Sequence, residues 1–218
     1  MDAIVNVWKP IGWTSFDVVK KIRGSVKPSK VGHAGTLDPF AEGVLVICIG
    51  KMTKKVESLM DHEKEYVAII QLGSETDTLD TEGEVIKESE VTILSYEKIV
   101  MILDSFLGES DQIPPMYSAL KVNGKRLYSL AREGKVIKRQ PRKITISEIE
   151  LLENNIDSLK IRVKCGRGTY IRVLASDIAK AMNTVGFLKS LVRTQVGEFR
   201  QEDSIPVENV AEWLSATA

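Results

Sequence analysis

The sequence predicts an α+β protein built around a mixed β-sheet. Strand-like and helix-like segments follow one another irregularly, without the even strand–helix rhythm of a doubly wound fold. One segment, GVLVICIG, is apolar throughout, which is typical of a fully buried strand. No repeat, low-complexity tract or linker interrupts the chain, so we expect a single domain over residues 1–218.

The first third of the chain contains five predicted elements. IVNVWK alternates apolar and polar residues and predicts a strand, which the turn PIG ends. SFDVVKKIRGSV predicts a helix that is capped by Ser15 and ended by Gly24. Its apolar face is expected to contain Phe16, Val19 and Ile22. GVLVICIG then predicts the buried strand, KMTKKVESLMDHEK a helix and EYVAIIQLG another strand.

The remaining elements are shorter. DTLDTEGEVI predicts a turn and a strand, and LSYEKIVMILDSFLG predicts a helix closed by Gly108. A Pro-Pro segment leads to GKRLYSLAREG, a short basic helix. PRKITISEIELLE and LKIRVKC supply two or three strands, and the second passes through GRG into a helix. FLKSLVRTQVGEF and a short helix in PVENVAEWLSAT end the chain.

The composition is that of a soluble globular protein. It is 43% hydrophobic and 28% charged, and no run approaches the roughly 20 apolar residues of a membrane span. The start, MDAIVNVWKP, lacks the basic region of a signal peptide. Two histidines and two distant cysteines offer no zinc-binding spacing, and we expect Cys48 and Cys165 to be buried thiols. We therefore expect a cytoplasmic protein without a metal ion or a membrane partner.

Charge is segregated along the chain although the formal net charge is zero. Residues 74–111 contain eleven acids and two bases, whereas residues 121–143 contain nine bases and one acid. This distribution predicts a basic face that suits a polyanionic partner. The alternative is a solvated basic surface without a partner.

The segment VGHAGTLDPFAEG, residues 31–43, places one aspartate among glycines beside the buried strand. Pro39 favours an extended backbone at Asp38, while Gly35 and Gly43 allow other groups to approach closely. An Asp-Pro turn without any function is common, so this segment by itself does not establish a site.

Six segments together resemble, in order, the motifs of the TruB family of tRNA pseudouridine synthases, over about residues 4–199. They are NVWKPIGWTSFDVV, GHAGTLDPFAEGVLVICIGKMTK, KEYVAIIQLGSETDTLDTEG, QIPPMYSALKVNGKRLYSLAREG, CGRGTYIRVLASDIA and LVRTQVGEF. The resemblance implies a pseudouridine-synthase fold, with a mixed, largely antiparallel sheet flanked by helices. It also implies isomerisation of uridine 55 in the T arm of tRNA to pseudouridine, without a cofactor or metal. We expect the protein to act on the T stem-loop as a monomer.

The resemblance assigns roles to individual residues. Asp38 matches the catalytic aspartate, Arg172 its partner, and Tyr66 the tyrosine that stacks on the target uracil. Ordinary structural explanations exist for such residues, namely a turn aspartate, a surface base and a strand aromatic packed in the core. The sequence leaves open whether the carboxylate attacks the sugar, attacks the base or assists glycal formation. The further matches are His33, which would fill the space left by the flipped base, and Tyr170 and Leu191, which would line the pocket.

The basic residues from about 115 to 142 correspond to a thumb-like insertion of the family. Phosphate contacts are expected from Lys121, Lys125, Arg126 and Arg132. Members of the family often end in a PUA domain, but only residues 200–218 follow VGEF, so we expect no such domain.

Two alternatives share the same core. A tRNA-folding chaperone would use the cleft without relevant catalysis, but the presence of Asp38, Tyr66 and Arg172 together favours an enzyme. A guide-RNA-dependent synthase would rely on a C-terminal region that is not expected here.

Overall fold

A computed structural model describes residues 1–122 and 124–216, and only the backbone of Lys121. In this part of the chain the helices are α1 (Ser15–Ser25), α2 (Val56–Met60), α3 (Tyr96–Asp104), α4 (Leu127–Arg132), α5 (Ile171–Ala181) and α6 (Val210–Ala216). The strands are β1 (Ala3–Lys9), β2 (Val31–His33), β3 (Glu42–Ile49), β4 (Lys64–Leu72), β5 (Ser74–Thr76), β6 (Val85–Glu88), β7 (Gly108–Gln112), β8 (Lys121–Val122), β9 (Lys125–Arg126), β10 (Arg142–Asn154), β11 (Ser158–Cys165), β12 (Gly186–Val196), β13 (Phe199–Arg200) and β14 (Ile205–Pro206).

The largest sheet contains ten strands and is mixed, which confirms the predicted α+β class. The hairpins β5–β6 and β8–β9 form two small separate sheets. The chain divides into two compact units. The first unit contains Met1–Val67 and the described residues from Leu191 onward, and the second unit contains Ala68–Ser190.

In the first unit the strand order is β14-β1-β3-β12, with β2 also beside β3 and β13 beside β12. β3 is antiparallel to β1 and parallel to β12. Alternate residues of a strand point to opposite faces of its sheet, and both faces of β3 are covered. Leu45 and Ile47 pack in one apolar cluster with α1 and α6, whereas Val44 and Val46 pack in another with α2. This two-sided burial explains why the segment GVLVICI carries no polar side chain.

In the second unit β11 pairs with β10, and β10 pairs with β7, all antiparallel. The alternating side chains of β11 bury Leu159, Ile161 and Val163 on one face. The other face carries three cross-strand ion pairs from β11 to β10, which are Lys160–Glu153, Arg162–Glu150 and Lys164–Glu148. Cys165 is buried here, as Cys48 is in the first unit, and both agree with the prediction of buried thiols.

The predicted ends of α1 are wrong. Thr14 is the N-cap, and it forms a reciprocal capping box with Asp17. The helix continues through Gly24 to Ser25. Phe16, which was placed on the apolar face, is 60% exposed, and Val18 is buried instead. Serine and threonine are both favoured N-caps, so the sequence did not distinguish Thr14 from the residue after it.

Other boundaries also differ from the prediction. Residues Gly50–Lys55 form a 3₁₀ helix, and only Val56–Met60 are α-helical in the segment predicted as one helix. α3 ends at Asp104, and Gly108 begins β7 rather than closing the helix. The segment GESDQ lacks apolar alternation because β7 lies at the end of the strand order, beside β10, among the strands that the structure describes.

Gly43 lies between two cationic residues in the sheet of the first unit. Lys9 of β1 is its register partner on one side, and Arg193 of β12 is its partner on the other. Gly43 has a φ of 121°, and a Cβ built there would overlap the backbone of Arg193. Glycine is therefore required both by the backbone conformation and by the close approach of β12.

Replacing Gly43 with alanine is expected to destabilise the fold by about 4 kcal/mol, because backbone strain and steric overlap add. The change in unfolding free energy is measured by urea denaturation. Gly108→Ala is the matched control, since Gly108 has a φ of 88° but open space where a Cβ would lie. A Gly43→Ala protein as stable as the Gly108→Ala protein would contradict the predicted overlap.

Candidate active site

The loop that carries Asp38 is held by hydrogen bonds on both sides of that residue. The Leu37 N–H donates to Ser15 Oγ at 2.9 Å, and Ser15 Oγ donates back to the Leu37 carbonyl at 3.1 Å. The Gly12 N–H donates to the Pro39 carbonyl at 2.8 Å. Ser15 therefore fixes this loop rather than capping α1. The half-buried Asp38 thus lies between two backbone positions that the chain after β1 anchors.

Lys9 is a buried cation at the end of β1. Its side chain is inaccessible to solvent, and its Nζ donates to the carbonyls of Pro10 at 2.9 Å and Trp13 at 2.6 Å. Its distance to the Pro39 carbonyl is 3.5 Å. A buried ammonium is costly unless its donors are satisfied, and these carbonyls satisfy them. Lys9 thereby stabilises the turn after β1, and the chain at this turn holds the Asp38 loop.

Arg193 is a second buried cation, and it binds the same loop from β12. It is 1% exposed. Its Nε donates to the Val44 carbonyl at 2.7 Å, and its Nη1 and Nη2 donate to the Thr36 and Gly35 carbonyls at 3.3 and 3.2 Å. Neither cation could be recognised in the sequence, because lysine and arginine are typically exposed and only strand register reveals where these two lie.

His33 ends β2 and precedes the loop. Desolvation lowers the pKa of its imidazole below the ordinary value of 6.5, and the positive charge of Arg193 lowers it further. The side chain is therefore neutral at neutral pH. A neutral imidazole can stack on a base and can both donate and accept a hydrogen bond.

Tyr66 and Leu191 are buried members of strands. Tyr66 of β4 is 8% exposed, and Leu191 of β12 is 5% exposed. Burial of an aromatic and an aliphatic side chain suits either a core or the wall of a pocket that takes a flat base.

In the second unit, Arg172 lies in the first turn of α5 and is also buried. Its Nη1 lies 3.4 Å from Asp80 Oδ2, and both side chains are about 5% exposed or less. Its guanidinium also donates to the Thr78 carbonyl at 3.0 Å and the Tyr117 carbonyl at 2.7 Å. Arg172 is therefore held in one orientation and is not a surface base. Asp80 was not singled out from the sequence, where it is one of several acids in DTLDTEG.

Tyr170 immediately precedes α5, and Gln112 of β7 holds its backbone. The Tyr170 N–H donates to Gln112 Oε1 at 2.8 Å, and Gln112 Nε2 donates to the Tyr170 carbonyl at 3.2 Å. Gln112 is buried at the end of a polar strand that was not predicted, so no sequence signal marked it.

The basic segment presents exposed cations on β9 and α4. Lys125, Arg126 and Arg132 are all exposed, and the guanidinium carbons of the two arginines each lie 5.7 Å from the centre of the Tyr128 ring. This distance permits cation–π attraction. Within the described residues, no carboxylate lies within ion-pairing distance of these three cations, whereas Lys135 pairs with Glu133. The side chain of Lys121 lies outside the part that the structure describes.

Neither a metal-binding cluster nor a membrane-spanning helix is found in residues 1–122 and 124–216. No three His, Cys, Asp or Glu side chains lie together there in a way that could hold a metal ion. None of the helices described is long and apolar enough to cross a membrane.

Comparison with known proteins identifies the family. Residues 23–171 match the model of the TruB family pseudouridylate synthase N-terminal domain, which covers more than half of the chain. The chain belongs to the TruB family. A relative from Phocaeicola vulgatus, named tRNA pseudouridine synthase B, is 49% identical over 94% of this chain and 90% of its own length. A relative of the same name from Clostridium novyi is 52% identical over 96% of this chain and 72% of its own length.

Solved structures show the same fold for this TruB-family chain. A chain of a Cbf5-Nop10-Gar1 complex matches 97% of it with a TM-score of 0.75 and 30% identity. A chain of an H/ACA RNP bound to a substrate RNA containing 2'-deoxyuridine matches 99% with a TM-score of 0.70 and 27% identity. This chain spans about half the length of those two, 54% and 55%. The pseudouridine-synthase fold expected from the sequence is therefore confirmed.

The low pKa of His33 predicts a loss of stability in acid. The folded protein takes up a proton at His33 less readily than the unfolded chain, so stability falls as the pH drops below 6.5 and levels off below the folded pKa. Urea denaturation at neutral pH and at about pH 5.5 measures this loss. His33→Gln is expected to show a smaller loss than the wild type.

His62→Gln removes the only other histidine of the chain and serves as the matched control. This variant is expected to retain the loss of unfolding free energy in acid that depends on His33. An acid loss in His33→Gln as large as that of the wild type would exclude His33 as its source.

Proposed function

We propose that this TruB-family protein is a tRNA pseudouridine synthase that isomerises uridine 55 in the T arm, with Asp38 as its catalytic carboxylate. The family match and the relatives named tRNA pseudouridine synthase B support the reaction and the class of substrate. The observation that carries the role of Asp38 is the anchoring of its loop on both sides, at Leu37 and Pro39. A carboxylate held in this way is preorganised for chemistry.

The isomerisation breaks the C1′–N1 bond, turns the uracil and rejoins it to the sugar through C5. Such a reaction needs a nucleophile or a charge stabiliser beside the sugar and the base. Asp38 supplies that group, whether it attacks the sugar, attacks the base or assists glycal formation. No cofactor is required by any of these three courses.

The target uridine must leave its stack to be reached, at a cost of a few kcal/mol. His33 is proposed to occupy the vacated space, where its neutral imidazole can stack and form hydrogen bonds without the cost of burying a charge. Tyr66 is proposed to stack on the flipped uracil and to help remove the C5 proton, since a phenol has a flat face and a polar tip. Tyr170 and Leu191 are proposed to line the pocket.

Arg172 is proposed to act as the partner of the catalytic aspartate, by resemblance to the family. Its ion pair with Asp80 and its bonds to two carbonyls support a role that needs a fixed guanidinium. Arginine suits this role because it remains charged and its planar donors have fixed directions.

The basic segment is proposed to grip the phosphates of the T stem-loop, as a thumb over residues 115–142. Lys125, Arg126 and Arg132 are exposed and available for this contact, and Lys121 is included by resemblance. The whole chain is proposed to form one catalytic domain that acts on tRNA in the cytoplasm as a monomer.

Asp38→Asn is expected to abolish pseudouridine formation, a loss of about a thousandfold or more, while tRNA binding stays unchanged. The substitution keeps the shape of the side chain but removes the charged oxygen that the chemistry needs. Tritium release from tRNA labelled at C5 of uridine measures the reaction, and filter binding measures affinity. Glu42→Gln, which removes a carboxylate four residues away, is the control and should retain activity. Normal turnover by Asp38→Asn would refute the assignment, and so would loss of binding without loss of turnover at saturating tRNA.

Replacing Lys125, Arg126 and Arg132 together with glutamine is expected to weaken tRNA binding and flatten its salt dependence. Each lost phosphate contact lowers the slope of log K against log salt by roughly 0.7 to 0.9.

The matched control replaces Lys160, Arg162 and Lys164 with glutamine, which changes the net charge equally at bases already paired with glutamates. The control should keep the wild-type slope. Equal slopes for wild type and for the first triple variant would show that Lys125, Arg126 and Arg132 do not bind phosphate.

A further inference from the structure

Arg193 is a buried cation. Among the residues that the structure describes, no carboxylate forms an ion pair with it, and its hydrogen bonds there reach backbone carbonyls. A buried guanidinium costs folding free energy unless its donors are satisfied. Backbone carbonyls at the two ends of the loop that carries Asp38 satisfy the donors of Arg193, so its removal is expected to disturb that loop first.

The three carbonyls that Arg193 binds lie on both sides of the Asp38 loop. Gly35 and Thr36 precede Leu37, and Val44 follows Gly43. Because the guanidinium is planar and its donors point in fixed directions, one rigid group sets the distance between the two ends of the loop. A lysine retains the charge but has a single nitrogen on a flexible stem, so it cannot impose the same spacing.

The bonds made by Arg193 complement those made by the chain after β1. Ser15 and Gly12 hold the middle of the loop at Leu37 and Pro39. Arg193 holds its ends, and its own backbone pairs with Gly43 in the sheet. Asp38 is thereby fixed by contacts from β12 as well as from the segment after β1.

We propose that Arg193 is a positioning residue for Asp38, which acts by clamping the carbonyls of Gly35, Thr36 and Val44. This inference rests on the proposed function of Asp38 and adds to it a residue for which sequence analysis proposed no role. Arg193 does not touch the reacting atoms. It acts through the loop, where an error of about 1 Å in the position of a catalytic group can cost a hundredfold in rate.

The same cation also affects His33. Its positive charge adds to desolvation in lowering the pKa of that imidazole. The positive charge of Arg193 and its clamp on the carbonyls can therefore be separated, since a lysine keeps the charge but loses the clamp. This separation gives the test a readout that a general loss of stability would not produce.

The test compares Arg193→Met, Arg193→Lys and the control Asn6→Ala in the full-length protein. Asn6 is also buried in the first unit, and its Nδ2 donates to the Arg200 carbonyl at 2.7 Å, away from the Asp38 loop. The measurements are kcat and KM on a T stem-loop RNA, the melting temperature, and the pKa of His33 by NMR. The chain has only two histidines, so their signals are readily assigned with a His62→Gln variant.

Both Arg193 variants are expected to lower kcat by about tenfold to a hundredfold with little change in KM, because the loop loses its spacing. Arg193→Met should also raise the pKa of His33, whereas Arg193→Lys should leave it low. Asn6→Ala should keep the wild-type kcat even if its melting temperature falls as far as those of the Arg193 variants.

Three results would overturn the proposal. They are a wild-type kcat in a folded Arg193→Met protein, full rescue of kcat by lysine, or an equal loss of kcat in Asn6→Ala at an equal loss of stability. A wild-type protein that forms no pseudouridine would instead refute the proposed function. In that case amide hydrogen exchange over residues 34–41 tests whether Arg193 restrains the loop. Faster exchange in both Arg193 variants than in Asn6→Ala supports this restraint, and equal exchange contradicts it.

Discussion

The rung Lys9–Gly43–Arg193 across three strands is the constraint on which the Asp38 loop depends. β1 and β12 flank β3, and their register places one cation on each side of Gly43, the second residue of β3. The chain enters β3 through a loop whose backbone carbonyls at Gly35 and Thr36 accept hydrogen bonds from a buried side chain. Arg193 donates hydrogen bonds directly to carbonyls at the ends of the loop. Lys9 acts indirectly, because it donates to carbonyls of the turn after β1. A side chain at position 43 would push these strands apart.

The sequence was informative where most residues of a segment are buried. β3 was predicted from its apolar run, and the reason is that both of its faces pack in apolar clusters. α5 was predicted too, and eight of its eleven residues are buried. The position of Asp38 among glycines and next to proline also marked the loop, although only the resemblance to a family gave it a role.

The supporting side chains of the site could not be predicted in the same way. Lys9, Arg193, Asp80 and Gln112 are polar residues in ordinary contexts, and nothing local shows that they are buried. Their burial depends on strand register and on contacts between residues far apart in the chain, such as Gln112 with Tyr170. Ser15 shows the same limit, because its local setting suggested a helix cap while its hydroxyl binds a loop 22 residues away. The polar strand β7 was missed because its side chains follow no apolar alternation.

The charge distribution of the sequence could be interpreted only with the structure. A net charge of zero does not argue against an RNA substrate, because the basic side chains of the protein are not equivalent. Those on β11 are neutralised by glutamates across the strand pair, whereas those on β9 and α4 lie exposed around an aromatic ring. Under the proposed function, this protein alone converts uridine 55 of tRNA to pseudouridine. Total tRNA that lacks the modification can be incubated with the purified protein, without guide RNA or partner proteins, and pseudouridine mapped at single-nucleotide resolution. New pseudouridine is expected at position 55 in the T loop. Transfer RNA with no new pseudouridine, or with pseudouridine only at other positions, would contradict the proposed function.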